Sequence, residues 1–431
     1  MKGKREGSVF IVMMLRVASV MIMLCAGSVA MSAEDTATGL MLPRFQTLKT
    51  ELAGEFMQMP VIRLNSDDRI LVTFDEIGDE RSYLHYSITH CNSDWQPSGL
   101  VESEYVGGFN KVYIEDYAYS ANTFIHYVNY LIEIPNDQMR PLVSGNYLLR
   151  VYDSDNDDSL VAQVRFRVVE PLAGVSASTT TRTDRGVNGE WQQLSVAVSG
   201  EGYDLGNPYQ DIKVEVMQNG RQETSRFLKS PLRVDGNTLI YDHSPELLFR
   251  SGNEYRRFED ISTGFPGMHV DSMRYMGSNY HAFINEDIPR SDRNYEYDRT
   301  QHGRFMVKEY NSTDSNIGSD YVTVHFFLNS AEYPDLDLYV DGEMTHGKFD
   351  DRNRMRYDGK RGGYTLALPL KQGAYNYQYV ARRKGDNGAT SPSLIEGDKY
   401  ETENEYNIFI YHRPPGARYD RLIGTATVYS N

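Results

Sequence analysis

The chain has 431 residues, with 60 acidic and 44 basic side chains and a formal net charge of −16. This length suffices for about two to four domains. The negative charge argues against partners that are themselves polyanions, namely nucleic acid and anionic membrane surfaces. Tyrosine is abundant, at 32 residues against 17 phenylalanines, which favours β-strands and partly hydrated interfaces.

The N-terminus has the composition of an export signal. Basic residues precede an apolar stretch over residues 9–24, and small residues follow at 28–30. We predict a signal peptide over residues 1–30, with a cut after Ala33 or lipidation at Cys25 as alternatives. Lipidation is less favoured because Leu24 stands where a small residue is expected. A retained membrane anchor is also less favoured, because the apolar stretch is short and interrupted.

Removal of this signal would leave Cys91 as the only cysteine. The mature chain would then have no internal disulfide, which suits a large protein of the bacterial periplasm. A lone cysteine, here between His90 and Asn92, is more often a buried small apolar side chain than a nucleophile, so we predict a buried Cys91.

The first domain is predicted over residues 41–170. Residues 41–59 fit a short helix or an extended arm, and strand patterns begin at residue 61. Residues 83–90 alternate in polarity, and a long strand is predicted over residues 123–134. Strands that recur about every dozen residues between Gly, Asn and Asp turns predict an immunoglobulin-like sandwich.

The remaining chain continues this pattern. Polar residues 176–190 fit a linker or a long hairpin, and a central β-domain is predicted over residues 171–312. Residues 313–431 contain Asp341-Gly342, then Met355-Arg356-Tyr357, then the strand sequence Gly-Ala-Tyr-Asn-Tyr at 373–377, and this pattern is similar to early-set domains related to glycogen-binding modules. No long helical periodicity is present, so the predicted fold class is all-β, with two or three immunoglobulin-like or early-set β-sandwich domains in series.

No pattern of metal ligands is found. The ten histidines form neither a His-Glu-x-x-His pair nor a Cys/His cluster, so we predict no metal and no cofactor. Residues 153–158 begin like a calcium loop, but Asp158 and Val164 replace the required Gly and Glu. We predict a solvated hairpin tip there and leave weak calcium binding open.

Catalytic patterns are equally few. The carboxylate pairs Glu286/Asp287 and Asp335/Asp337 have the residue type for glycoside chemistry but no aromatic platform beside them. We therefore predict that the protein is not an enzyme.

Tyr375, Tyr377 and Tyr379 fall on one face of a strand. We interpret them as core or as an inter-domain contact. The alternative is stacking on sugar rings, which would make this a periplasmic glycan-binding protein.

Residues 254–305 carry the main part of a family resemblance, and further segments extend it over nearly the whole mature chain. The segments are 253–259 (NEYRRFE), 279–282 (NYHA), 294–298 (NYEYD), 303–305 (GRF), 89–95 (THCNSDW) and 419–424 (YDRLIG). In this combination and order, the chain resembles the plug protein family of the type IX secretion system.

The resemblance implies a non-enzymatic periplasmic subunit associated with the outer membrane. Its partner would be the giant translocon β-barrel of this system, whose periplasmic end it would occlude, with a cargo-collecting second barrel as a further partner. The resemblance implies neither a membrane span of its own nor a nucleic-acid partner.

Arginine and tyrosine are enriched at protein interfaces, so the central stretch supplies our candidates for partner contact. They are Arg256, Arg257, Phe258, Arg293, Tyr295 and Arg304. The alternative, which we hold open, is that this stretch serves folding, with Arg256 or Arg304 ion-paired inside it.

Overall fold

The computed structural model describes residues 36–200, 202–386, 388 and 390–430. The predicted signal peptide and the lipidation alternative at Cys25 lie outside the described residues.

The first sandwich comprises twelve strands within residues 39–169. They are β1 (Gly39–Leu40), β2 (Phe45–Leu52), β3 (Val61–Arg63), β4 (Ile70–Ile77), β5 (Leu84–Cys91), β6 (Val106–Gly108), β7 (Val112–Tyr113), β8 (Tyr117–Tyr119), β9 (Tyr127–Ile134), β10 (Met139–Pro141), β11 (Gly145–Asp153) and β12 (Ser159–Val169). Its two main sheets have the orders β1-β12-β11-β5-β7, with β3 beside β12, and β2-β4-β9-β8, and β6 and β10 form a separate two-stranded sheet. A one-turn helix spans Glu102–Tyr105.

The next nine strands begin the second sandwich. They are β13 (Gly174–Thr180), β14 (Arg182–Thr183), β15 (Gly186–Val187), β16 (Trp191–Ser199), β17 (Ile212–Gln218), β18 (Arg226–Leu228), β19 (Arg233–Asp235), β20 (Thr238–Tyr241) and β21 (Leu248–Arg250). One sheet has the order β13-β16-β20-β19, with β21 beside β16. Short 3₁₀ turns span Gln222–Thr224 and Pro245–Leu247.

The third sandwich lies within residues 256–383. Its strands are β22 (Arg256–Glu259), β23 (Val270–Met276), β24 (Asn279–Ile284), β25 (Phe305–Val307), β26 (Tyr321–Leu328), β27 (Leu336–Asp341), β28 (Arg356–Asp358), β29 (Gly363–Lys371) and β30 (Gly373–Arg383). A five-stranded sheet, β23-β24-β26-β29-β28, faces one in which β30 pairs with β22, β25 and β27. Ser315–Gly318 is a short helix and Glu343–Thr345 a 3₁₀ turn.

The last two strands return to the second sandwich. β31 (Glu405–His412) pairs with β17 and with β32 (Arg421–Tyr429), giving a second sheet of order β18-β17-β31-β32. The all-β sandwich fold predicted from the sequence is confirmed. Sheet pairing nevertheless crosses the boundary predicted at residue 312, because β22 and β25 pair with β30. We propose instead that the third sandwich is an insertion in the second.

Several local predictions have clear outcomes. Of the two forms considered for residues 41–59, the extended one is found, as β2. The strand predicted over residues 123–134 begins only at Tyr127. The polar residues 176–190 form most of β13 and the small hairpin β14–β15.

Strand β12 shows how the sequence couples two sandwiches. Val164, Phe166 and Val168 alternate into the core of the first sandwich. The arginines between them, Arg165 and Arg167, point to the opposite face, yet they are 9% and 4% exposed because the second sandwich covers that face. The chain from Ala37 onward forms one compact unit.

Candidate functional site

Arg256 lies at the centre of a buried charge network in the third sandwich. Its guanidinium donates to Asp287 Oδ1 at 2.6 Å and to Glu396 Oε1 at 3.1 Å. Arg290 reaches the same Glu396 carboxylate at 2.7 Å. The side chains of Arg256 and Glu396 are 8% and 1% exposed. We call these four residues the Arg256 network; its opposite charges compensate one another away from water.

The pKa shifts agree with this arrangement. Burial alone would lower the pKa of Arg256, but Glu396 and Asp287 outweigh burial and raise that pKa above its ordinary value. Burial alone would raise the pKa of Glu396, but Arg256 and Arg290 hold it below its ordinary value. Arg256 and Glu396 are therefore both charged in the folded protein.

Two other predicted contact residues are also inside the molecule. Phe258 is fully buried in the third sandwich, where its ring stacks on Tyr375 at 5.2 Å between centroids. Arg304 forms a two-pronged ion pair with Glu405 at 2.6 and 2.9 Å, which ties the third sandwich to β31 of the second. These positions match the alternative in which the stretch serves folding.

The remaining candidates lie nearer the surface. Arg257 is half-buried and pairs with Asp298 at 2.7 Å. The Tyr295 hydroxyl donates to buried Glu254 at 2.8 Å. Arg293 is exposed, beside a small surface pocket that also involves Arg256. Partner contact by Arg257, Arg293 and Tyr295 stays a prediction.

The three aligned tyrosines of β30 are core residues. Tyr375, Tyr377 and Tyr379 are between 0% and 3% exposed. The hydroxyls of Tyr377 and Tyr379 each donate to Asp287 Oδ2 at 2.7 Å. Stacking on a sugar ring needs an exposed ring face, so this burial counts against the glycan-binding alternative. The same two hydroxyl groups occupy the carboxylate of Asp287, which belongs to one of the carboxylate pairs considered for glycoside chemistry.

Sequence reasoning missed a second buried charge cluster, between the first and third sandwiches. Lys371 and Asp75 are each 1% exposed, with Nζ and Oδ2 2.6 Å apart. The Tyr321 hydroxyl donates to the same Asp75 oxygen at 2.6 Å. The available signal was a charged side chain within the apolar strand pattern around Asp75, but nothing in the sequence identifies its partner.

A third pair joins the first sandwich to the second. Arg167 Nη2 lies 3.1 Å from Glu215 Oε2, and Arg167 also stacks over the Phe409 ring. The Tyr411 hydroxyl donates to Glu215 as well, at 3.2 Å. Every pair of sandwiches is therefore connected by at least one buried ion pair.

A cavity of about 200 Å³ lies where the three sandwiches meet. Arg167, Met217 and Asp341 contribute to its lining from the first, second and third sandwich respectively. Arg221 crosses the junction to pair with Asp341 at 3.3 Å. Because Arg167, Arg221 and Arg304 of its lining each pair with a carboxylate, the cavity has the character of a structural junction.

Asp260 is a buried carboxyl group whose pKa is higher in the folded protein than in the unfolded chain. Its Oδ1 accepts from the Gly373 N–H at 2.8 Å, but Oδ2 has no hydrogen-bond partner in the described part of the chain. Burial raises the pKa of Asp260 to about 7, although the Gly373 hydrogen bond opposes that shift. The native state therefore keeps a proton that the unfolded chain loses near pH 4.

The natural protein is expected to lose stability as the pH rises, because Asp260 must stay protonated in the folded state. Replacing Asp260 with asparagine should remove this pH dependence. Below about pH 4 both states are protonated, and between about pH 4 and 7 the native state binds more protons, so stability falls as pH rises. From pH 5 to pH 8 this amounts to about 2–3 kcal/mol in the natural protein. Urea unfolding of both proteins at the two pH values measures the difference.

The exposed Asp271 provides the control, since Asp271→Asn should keep the natural pH dependence. Any change in the free energy of unfolding that the new amide causes equally at both pH values cancels when one variant is compared with itself at the two pH values. An Asp260→Asn variant with the same pH dependence as the natural protein would show that Asp260 does not titrate in this way.

The remaining predicted features are structural. Cys91 is buried, and burial raises the pKa of its thiol to about 12, as befits a core residue. The turn after Asp153 connects β11 and β12, and Asp153 pairs with Arg44. Within the described residues, no group of three or more His, Cys, Asp or Glu side chains is placed to hold a metal ion. None of the described helices has the length and apolar character needed to cross a bilayer.

The fold and its buried networks define a class of protein. It is built of β-sandwiches, and its buried ionisable groups hold these sandwiches to one another.

Comparison with known proteins identifies the family. Residues 45–170 match the type 9 secretion system plug protein 1st domain. The solved structure of a hypothetical protein from Parabacteroides merdae ATCC 43184 is 36% identical, with a TM-score of 0.88, and the match covers 91% of this chain and 99% of that chain. None of the curated proteins matches this chain. The chain belongs to the type 9 secretion system plug protein family, as its sequence predicts.

Proposed function

We propose that this protein occludes the periplasmic end of the outer-membrane translocon barrel of the type IX secretion system, and thereby gates protein export. It does so without catalysis, by steric occlusion. It resides in the periplasm and is held at the outer membrane through the translocon. Bound cargo or the cargo-collecting barrel changes which end of the pore is blocked.

The observation that carries this proposal is that buried ion pairs connect the three sandwiches to one another. Asp75–Lys371 joins the first and third, Arg167–Glu215 the first and second, and Arg304–Glu405 the second and third. Charges buried in this way tolerate little relative movement, since separation would leave them unpaired. A body that must block a wide pore has to resist such movement.

The first experiment asks whether a barrel is bound. A C-terminally tagged chain is purified from gently solubilised native membranes, and the co-purifying proteins are identified by mass. We expect a very large outer-membrane barrel in stable association. A clean monomer obtained under these conditions would contradict the proposal.

The second experiment asks whether the bound chain closes the pore. A strain that lacks this protein is expected to admit large hydrophilic molecules, such as vancomycin, that the parent strain excludes. Deleting the barrel as well should abolish the leak, since no pore then remains. A leak that persists without the barrel, or no leak at all, would argue against occlusion.

A further inference from the structure

A groove of about 370 Å³ lies on the outer face of the third sandwich. Val324, Phe326 and Leu328 of β26 point into the core, so the alternate residues His325 and Phe327 face outward. Aromatic and small side chains form the floor of the groove, and arginines form its walls. The lining includes Phe327, Ala367, Arg352, Arg354, Arg356 and Arg361.

This groove has the opposite charge to the protein as a whole. Residues 348–361 contain six basic and three acidic side chains, in a chain whose net charge is −16. Such a concentration of positive charge is costly to keep together and attracts anionic groups. The local charge is therefore a specific feature of this face.

The acidic residues at the groove already have partners. Asp350 is held by the Arg352 guanidinium, with a closest approach of 2.6 Å, and Asp351 pairs with Arg354. Asp358 Oδ1 accepts the Lys360 N–H at 2.9 Å within its own turn.

Two arginines remain without a carboxylate. Within the described residues, neither Arg356 nor Arg361 forms an ion pair, and both are exposed. The guanidinium carbon of Arg361 lies over the Phe327 ring, 3.9 Å from its centroid, and this contact positions the guanidinium at the groove. Unpaired guanidinium groups, of which Arg361 is positioned by this ring contact, are suited to two-pronged binding of carboxylates.

Neighbouring groups respond to this positive field. The pKa of His325 is lowered by burial and further by His281 and Arg361, so both charged and titratable neighbours on this face favour its neutral form. His281 Nδ1 lies 2.8 Å from His325 Nε2.

The edge of the sheet offers a second means of recognition. In the described part of the chain, β28 pairs with β29 alone and ends the five-stranded sheet. An extended peptide can pair with such an edge through its backbone while its side chains reach the neighbouring groove.

We propose that this groove binds an acidic, extended polypeptide segment of the translocon barrel. This inference rests on the proposed function and adds the chemistry of the partner. Carboxylates of the segment pair with Arg356 and Arg361, and apolar side chains between them contact Phe327 and Ala367. Since the arginines are exposed, the association weakens as the salt concentration rises.

The test uses the full mature chain with a double variant, Arg356→Glu and Arg361→Glu, and a neutral version with glutamine at both positions. The matched control is Arg182→Glu with Arg233→Glu, which changes the net charge equally at two exposed arginines of the second sandwich. Thermal unfolding verifies that each variant is folded. The readouts are barrel co-purification and binding of a labelled ten-residue peptide of alternating glutamate and alanine, compared with its glutamine counterpart.

We expect the glutamate variant to lose the barrel and to bind the acidic peptide at least tenfold more weakly, with a smaller loss for the glutamine variant. The control pair should retain both activities. We call the Arg356→Glu, Arg361→Glu protein the groove variant. If it recovers as much barrel as the natural chain does, this inference is overturned and the proposed function still stands. If the natural chain itself recovers no barrel, the proposed function fails first.

Anionic lipid is the competing ligand. Vesicles of phosphatidylglycerol and phosphatidylethanolamine, mixed with the natural chain and with the groove variant, provide that comparison. Loss of vesicle binding together with unchanged barrel recovery would overturn the inference in favour of a lipid headgroup.

Discussion

Replacing Arg256 with methionine is expected to lower the free energy of unfolding by about 3–5 kcal/mol. Methionine keeps much of the side-chain volume but removes the positive charge that Glu396 and Asp287 face at 3.0 and 2.6 Å. Glu396 is 1% exposed and cannot be rehydrated without opening the third sandwich. Urea unfolding, followed by circular dichroism and fluorescence, measures the change.

Arg257→Met is the matched control, since Arg257 is the next residue on the same strand. Its side chain is 28% exposed and its partner Asp298 is 33% exposed, so water screens the pair. The expected loss is at most about 1 kcal/mol. If Arg257→Met destabilised the protein as much as Arg256→Met does, burial of the Arg256 network would not explain its effect.

Lys371→Met is expected to lower the free energy of unfolding by a similar amount, about 3–5 kcal/mol. Its effect is expected at the interface between the first and third sandwiches. The substitution leaves Asp75 buried with the Tyr321 hydroxyl as its remaining neighbour from the third sandwich. Because this pair joins the first sandwich to the third, hydrogen exchange should rise on both sides of that interface. Urea unfolding gives the total loss, and exchange mass spectrometry gives its location.

A double-mutant cycle separates the pair from its surroundings. Asp75→Asn removes the negative charge and keeps the side-chain shape, so Asp75→Asn combined with Lys371→Met should cost clearly less than the sum of the two single changes. Simple additivity would mean that the two charges do not stabilise one another. The exposed pair Arg63–Asp68, 2.9 Å apart, is the control, with an expected coupling below about 1 kcal/mol.

Local sequence patterns predicted much of the fold. The alternation over residues 83–90 corresponds to β5 (Leu84–Cys91), because alternate side chains of a strand must face opposite sides. The polar run that starts at Asp153 leads into the β11–β12 turn, although Asp153 itself ends β11, is 2% exposed and pairs with Arg44. The common phase of Tyr375, Tyr377 and Tyr379 placed them correctly in one core.

The candidate site was predictable only in part. Its residue types identified a stretch rich in Arg and Tyr, but a side chain's exposure depends on what packs over it. Arg256 is buried because Glu396, 140 residues later, lies beside it, whereas Arg293 remains exposed. The unpaired arginines at the outer groove were not singled out, since the sequence does not show which carboxylates are already engaged.

The sequence by itself determined that this is an all-β protein of the plug family with a buried Cys91, because strand periodicity and family motifs are local properties of the chain. Only the tertiary structure decided that β31 and β32 complete the second sandwich and that buried ion pairs connect all three sandwiches. The physical reason is that these contacts join residues far apart in the chain. Their partners are selected by packing and by the need to neutralise every buried charge, which no short segment encodes.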